Sequence, residues 1–260
     1  MNVWEDFLAW LRRLFGGQPV TPPEPAGGAP APVAPKVEII VFDPCLPDQG
    51  NQRLSEALGW QDVDNLAAGY INDLQSASHG YLNYQIVQRT DVDGFPVKKD
   101  GFVYTPEQYW QCWQTHSGFH QPDAVDYERI LIDYNLIERI NSGAVDEVWL
   151  FGMPYAGFYE SSMAGPGAFF CNAPPLTLSG IDQRFIVMGF NYQRGVGEML
   201  ESFGHRAESI LNYTFRGIPP PANLWERFTR YEKHNPGQAE CGNVHFAPNS
   251  QSDYDWGNPT

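Results

Sequence analysis

The chain has 260 residues, a length that suits one α/β domain with additional tails. Its 31 acidic and 16 basic residues leave a net charge of -15, which would repel phosphate backbones and argues against nucleic-acid binding. None of the four cysteines is in C-x-x-C spacing, which argues against a zinc ribbon and leaves either two disulfides or four ordinary thiols.

Residues 1–16 are predicted to form an amphipathic helix, and residues 17–36 a linker. The helix is too short to span a bilayer and lacks the small-residue cleavage site of a signal peptide. It could contact a membrane surface or a partner protein, or it could pack on its own domain or fray. Proline, alanine and glycine dominate residues 17–36, which predicts an extended segment without a core. The apolar residues that share about a third of the helix circumference are Trp4, Phe7, Leu8, Leu11, Leu14 and Phe15.

Residues 37–217 are predicted to form an α/β domain, because short apolar runs alternate with amphipathic ones. This alternation predicts a mostly parallel sheet with helices on both faces. In the second strand, Tyr84, Ile86 and Val87 are the candidate core residues. The predicted strands cover residues 37–44, 81–91, 145–151 and 184–190, with a hairpin over 91–104 and a long loop over 152–178; the predicted helices cover 54–74, with a break near Gly59, then 105–115, 126–140 and 198–211.

Residues 218–260 are predicted to form an irregular extension packed on the domain. Apart from one predicted helix over residues 223–231, this segment has no regular pattern. Its polar end, SDYDWGNPT, has no closing element, which predicts that the natural chain continues beyond it.

The last predicted strand and helix form a strand–turn–helix unit, and open α/β sheets place ligands beyond the carboxyl end of such a strand. On the helix, Glu198, Glu201, His205 and Glu208 fall on one stripe. Glu201 and His205, one turn apart, could hold a divalent metal ion or act as an acid/base pair. The alternative is a solvated acidic face. Gly204 favours the first reading, because glycine inside a helix costs about 1 kcal/mol unless something approaches closely.

Five further residues are candidates, four of them at the end of a predicted strand or in the segment that follows one, and one in the C-terminal extension. Glu160 is the only charged residue in an aromatic, glycine-rich run, and burial there would suit a general acid; an exposed loop carboxylate is the alternative. Its neighbour Tyr159 and Asn191, in the turn after the last strand, could contact a substrate. Asp43 lies at the end of the first strand, where it could contact a ligand or could form an Asp-Pro turn. His245, in the extension, could complete a metal site with His205.

Three runs of the sequence carry a resemblance to a known group of proteins. They are GFYESSMAGPGAFF, FIVMGFNYQRGVGEMLESFGHRAESIL and NPGQAECGNVHFAPNSQSDYDWGN. With these runs the chain, from about Val37 to its end, resembles a family of uncharacterised, largely extracellular bacterial and fungal α/β proteins. The resemblance implies an extracellular or cell-surface location and a chain that continues past DYDWGN. It carries over no activity and no catalytic residues.

Two functions fit these observations. The first is an extracellular hydrolase, metal-assisted or not, that acts on a glycan or peptide; Glu160, Glu201 and His205 would be catalytic, His205 and His245 would hold the metal, and Asp43, Tyr159, Asn191 and Glu198 would contact the substrate. The second is a carbohydrate-binding or surface-interaction module without catalysis, whose aromatic loops would stack on sugar rings. A domain with a purely structural role is the third reading. The chain has neither G-x-G-x-x-G after a strand nor a P-loop, so nucleotide binding has no support.

Overall fold

The computed structural model describes residues 31–255 and residue 258, and it confirms the predicted fold class. A mostly parallel sheet is flanked by helices. The predicted N-terminal helix over residues 1–16 and most of the linker lie outside the described residues.

Seven strands lie within the described residues, five of them in one sheet with the order β4-β1-β5-β7-β6. Strands β4, β1, β5 and β7 are parallel, and β6 adds an antiparallel edge. In the centre of the sheet, Ile39 pairs with Trp149, which pairs with Met188. The strands are β1 (Lys36–Phe42), β2 (Cys45–Leu46), β3 (Gln52–Arg53), β4 (Gln85–Val92), β5 (Glu147–Gly152), β6 (Ser161–Ala164) and β7 (Phe185–Asn191).

Helices cover both faces of the sheet, as alternating side chains on the strands show. On one face, Tyr70 meets Trp149 edge to face, with ring centroids 5.1 Å apart. On the other face, Tyr134 meets Phe42 in the same way at 6.2 Å. No helix of the described residues is both long and apolar enough to cross a membrane. The helices are α1 (Leu54–Ala57), α2 (Val63–Ala77), α3 (Pro106–Thr115), α4 (Tyr127–Asp133), α5 (Leu136–Asn141), α6 (Val196–Phe215) and α7 (Leu224–Phe228), with a short 3-10 helix at Pro47–Gln49.

Strand β1, which has a neighbour on each side in the sheet, carries a buried charge. Glu38 is fully buried, and its Oε2 atom lies 2.7 Å from the guanidinium of Arg139 on α5. Burial raises the pKa of Glu38, and the nearby arginine lowers it only in part. The pair joins α5 to the sheet, but the carboxylate remains an unfavourable charge in an apolar layer.

Three predictions about burial and local secondary structure are wrong in detail. Ile86 and Val87, predicted as core, are 46% and 43% exposed, because β4 is an edge strand. Residues 91–104 form no hairpin of two strands but an irregular segment. The predicted helix over 126–140 is two helices, α4 and α5, because Asn135 between them has a left-handed backbone with φ of 53°.

The predicted loop over residues 152–178 contains strand β6, which the sequence did not indicate. Its run Ser-Ser-Met-Ala has neither the β-branched residues nor the alternation that mark a strand. Pairing with β7 makes it a strand. The four cysteines, Cys45, Cys112, Cys171 and Cys241, are free thiols, which is the second of the two alternatives left open above.

Candidate metal centre

Helix α6 begins where a carboxylate caps its first turn. The Oε2 atom of Glu198 accepts a hydrogen bond of 3.0 Å from the backbone N–H of Gly195, three residues earlier. This is half of a capping box, and it satisfies a donor that the helix itself cannot pair. The stripe residue Glu198 therefore has a structural task at the start of the helix.

A largely buried ion pair sets the rotation of α6 about its axis. The Nη1 atom of Arg206 lies 2.8 Å from Oε2 of Glu147 on β5, and its Nη2 atom contacts Oε1. Tyr84 and Trp149 donate further hydrogen bonds to the same carboxylate, at 3.0 and 3.3 Å. Because successive helical residues are about 100° apart, fixing Arg206 against the sheet turns the neighbouring His205 away from it.

The C-terminal segment packs on the outward side of α6 at Gly204. A Cβ atom on Gly204 would lie only 2.6 Å from Cγ2 of Val244. The backbone N–H of Val244 also donates a hydrogen bond of 2.7 Å to Oε1 of Glu208. Glycine is therefore required for this close approach, and the approach brings His245, the next residue, over His205.

The centre consists of Glu201, His205 and His245, whose ligand atoms all lie within 4.8 Å of one another. The two Nε2 atoms of His205 and His245 are 3.0 Å apart. The Oε1 atom of Glu201 is 3.7 Å from the first and 3.9 Å from the second. Ligands at about 2.0–2.1 Å from a tetrahedral zinc ion lie about 3.4 Å apart, so the three atoms are spaced to hold such an ion. The three side chains are half-buried, so the centre is shielded but reachable from solvent.

Two more carboxylates stand behind the imidazoles. The Nδ1 atom of His205 is 3.6 Å from Oε2 of Glu208, within the range of an ion pair. The Nδ1 atom of His245 is 3.1 Å from Oδ1 of Asp253. Only Asp253 is within hydrogen-bond distance of its Nδ1 atom, where a carboxylate favours the tautomer that leaves Nε2 for a metal ion.

Tyr254 lies over the same centre. Its hydroxyl donates a hydrogen bond of 3.0 Å to Oε1 of Glu201 and lies 2.9 Å from Nε2 of His245. The hydrogen bond to Glu201 raises the pKa of Tyr254, burial adds to the effect, and the carboxylates of Glu201, Asp253 and Glu160 raise it further.

A cavity of about 170 Å³ opens beside the first turns of α6. It lies at the carboxyl ends of the neighbouring strands β5 and β7, where α/β folds place ligands. The loop after β5 covers it by crossing β7 at Gly189, where a Cβ atom would lie 2.3 Å from the carbonyl oxygen of Tyr159. Its lining includes Asp123, Tyr155, Glu160, Asn191, Arg194, Glu198 and Met199. A larger but shallow groove of about 620 Å³ along α4 and α5 contains none of the predicted site residues.

The structure gathers most of the predicted site residues into two adjacent groups. Glu201, His205 and His245 form the centre, whereas Glu160, Asn191 and Glu198 line the cavity. Tyr159 is not among the lining residues; its ring is exposed and stacks parallel to that of Tyr127 at 6.2 Å.

Two predicted residues have surroundings that differ from the expected ones. Glu160 is exposed and accepts a hydrogen bond of 2.6 Å from Asn172, so the burial that would make it a general acid is not present. Asp43 is not among the residues that line the cavity, and it accepts hydrogen bonds from the hydroxyl and N–H of Ser55, at 2.6 and 3.1 Å. Burial raises the pKa of Asp43, and the two bonds from Ser55 lower it in part. The arrangement joins the end of β1 to helix α1.

Sequence reasoning missed the roles of Tyr254 and Asp253 beside the centre. The two residues follow His245 in an irregular segment, where no helical or strand period indicates which side chains meet. The sequence marks them only by the two aspartates that flank Tyr254. Comparison of the chain with models of protein families, with curated proteins and with solved structures finds no match, so the function of the centre is argued from its own geometry.

Proposed function

We propose that the protein is a metal-dependent hydrolase whose ion is held by Glu201, His205 and His245. The observation that carries the proposal is the approach of two Nε2 atoms to 3.0 Å, with a carboxylate behind each ring. A neutral imidazole carries one ring proton. The two Nε2 atoms lie within hydrogen-bond distance, so without an ion one ring donates a proton to the other. A divalent cation between the rings would replace that proton and bind both nitrogens.

The donor set favours zinc among the common ions. Two imidazole nitrogens and one carboxylate oxygen suit zinc and similar transition metals, whereas magnesium and calcium prefer oxygen ligands alone. Three protein ligands are also the number found in catalytic zinc sites, which keep a fourth position for water or substrate. A zinc ion so held would lower the pKa of bound water and polarise a carbonyl group, which is the chemistry of ester and amide hydrolysis.

The cavity next to the centre would hold part of the substrate. Its volume of about 170 Å³ is smaller than that of a typical ligand pocket, so it fits one residue of a longer chain. Asn191 and Arg194 offer hydrogen-bonding groups to such a residue. Glu160, exposed and oriented by Asn172, is available as the general base that takes a proton from the attacking water.

A glycan is the substrate that Tyr155 favours. Its ring lines the cavity, is 43% exposed and stacks on Phe119 with ring centroids 3.7 Å apart. Its backbone has a left-handed φ of 60°, and its carbonyl accepts a hydrogen bond of 2.6 Å from the buried Lys98. A fixed, exposed aromatic ring beside polar groups suits stacking on a sugar. The same ring supports the second candidate, a carbohydrate-binding module without catalysis; a peptide remains the alternative substrate.

Metal analysis of the purified protein tests the proposal. We expect about one equivalent of zinc in the wild type, loss of the ion in His205→Ala, and retention in His234→Ala, a matched control in an exposed histidine of the C-terminal segment. Acetylated sugars and peptides then serve as substrates before and after chelation. Turnover that chelation abolishes and zinc restores would support the hydrolase. A wild type that binds no divalent ion would refute it, and zinc binding with glycan binding but no turnover would favour the binding module.

A further inference from the structure

The position of Tyr254 assigns it a part in the centre that goes beyond the three proposed ligands. Its hydroxyl oxygen lies 3.0 Å from Oε1 of Glu201 and 2.9 Å from Nε2 of His245. These separations match the 3.0 Å between the two imidazole nitrogens. The phenol oxygen therefore stands among the ligand atoms at the distance of a fourth ligand rather than in a layer outside them.

We propose that Tyr254 is the fourth ligand of the metal ion in the resting protein, and that substrate displaces it. The inference rests on the proposed metal site of Glu201, His205 and His245. As the bond between the phenol oxygen and the ion forms, the bond between that oxygen and its proton breaks, and the proton leaves to solvent. When a substrate oxygen takes the position, the phenol oxygen regains a proton from solvent. No electron is transferred in either direction.

The hydroxyl contacts two of the three proposed ligands at once. It donates its proton to Glu201, and its oxygen lies close to Nε2 of His245, which is in turn 3.0 Å from Nε2 of His205. The four donor atoms form one connected group, and an ion bound among them would have all four as ligands.

The surroundings of Tyr254 suit a ligand that can leave. Its side chain is 48% exposed, and its ring packs at an angle on His245 with centroids 4.4 Å apart. Its backbone is left-handed, with φ of 57°, a conformation that is uncommon for residues other than glycine. The turn that carries it is held by Asp255, which accepts hydrogen bonds from the N–H groups of Gln251 and Ser252 at 2.7 and 3.2 Å, and by the N–H of Tyr254, which donates to the carbonyl of His245 at 3.2 Å. Rotation of the Tyr254 side chain about its own torsions would take the hydroxyl out of the centre without any change in the sheet or in α6.

A visible absorption band of the copper-substituted protein tests the ligation. A phenolate bound to copper(II) gives an intense charge-transfer band that imidazole and carboxylate ligands do not give. We expect the band in the full-length wild type loaded with one equivalent of copper(II) and its complete loss in Tyr254→Phe, with copper stoichiometry unchanged. Tyr213→Phe, on the same helix as two of the ligands but stacked on Phe169, should keep the band. Azide added to the wild type should bleach the band as it takes the position of the phenolate.

The outcomes separate this inference from the proposed function. A wild type that binds copper without the band would overturn ligation by Tyr254 and leave the three-ligand site intact. A band that persists in Tyr254→Phe would also overturn it. A band that survives saturating azide would overturn displacement by substrate. Failure of the wild type to bind any divalent ion would instead remove the proposed function, and this inference with it.

Discussion

Adding one methyl group at Gly204 should weaken metal binding through the packing of the C-terminal segment, since this position supplies no ligand of its own. In Gly204→Ala the new Cβ atom would lie 2.6 Å from Cγ2 of Val244, closer than side chains approach in practice. Alanine should stabilise the helix by about 1 kcal/mol relative to glycine, whereas overpacking of this kind costs about 1–3 kcal/mol. We expect a net change between none and a loss of about 2 kcal/mol, together with weaker zinc binding, because Val244 moves the adjacent His245.

Gly197→Ala is the matched control on the same helix, because nothing lies within 4 Å of a Cβ atom there. The two variants share the gain in helix propensity, so the difference in their free energies of unfolding isolates the contact with Val244 at about 1–3 kcal/mol. Urea unfolding would measure that difference, and calorimetric titration with zinc would measure the affinity. Val244→Ala in the Gly204→Ala background should restore both, since the two Cβ atoms would then be an ordinary 3.8 Å apart. Equal stabilisation by Gly204→Ala and Gly197→Ala, with unchanged zinc affinity, would refute the reasoning.

Three other predictions concern buried or outer charges. Arg206→Met should destabilise the protein by about 3–5 kcal/mol in urea unfolding, because it leaves Glu147 buried without its partner, and changing both residues to methionine should recover most of the loss. Burial raises the pKa of Glu38 above its ordinary 4.5, so the carboxyl group binds a proton more tightly in the folded protein than in the unfolded chain. The ionised carboxylate therefore destabilises the folded protein at neutral pH, and this destabilisation is lost as the pH falls through the raised pKa. Glu38→Gln should therefore be more stable than the wild type at neutral pH by an amount that shrinks toward pH 4.5, and a difference that grows in acid would contradict this. Asp253→Asn should weaken zinc binding by roughly 10–100-fold, since it removes the carboxylate behind His245, and an unchanged titration curve would count against that role.

The parts of the fold that depend on burial on both faces could be predicted from the sequence. Strands β1, β5 and β7 are mostly apolar runs, apart from the paired charges Glu38 and Glu147, because both sides of each strand are covered. The wrong predictions concern residues whose structure depends on pairing between strands that are distant in the sequence. Nothing local distinguishes Ile86 on an edge strand from a core residue, and nothing local indicates that Ser161 and Ser162 pair with β7.

Some residues of the candidate site could be predicted from the sequence, and others could not. Glu201, His205 and Glu208 lie on one helix, so a period of 3.6 residues places them together from the sequence alone. His245 is 40 residues further along, in a segment without a period, and only the approach at Gly204 brings it near. For Asp253 and Tyr254 the sequence has no comparable rule, because their positions depend on how an irregular segment folds back on the helix.

The neighbouring residues His205 and Arg206 on α6 make different kinds of contact. Arg206 bonds to the sheet, whereas the polar contacts described above for Glu201 and His205 are with each other, with Glu208 on the same helix and with the C-terminal segment. The metal-binding atoms at positions 201 and 205 could therefore change, for example from an imidazole nitrogen to a cysteine sulfur. Arg206 would still bond the helix to the sheet. Ion preference and folding stability could then evolve independently on one helix.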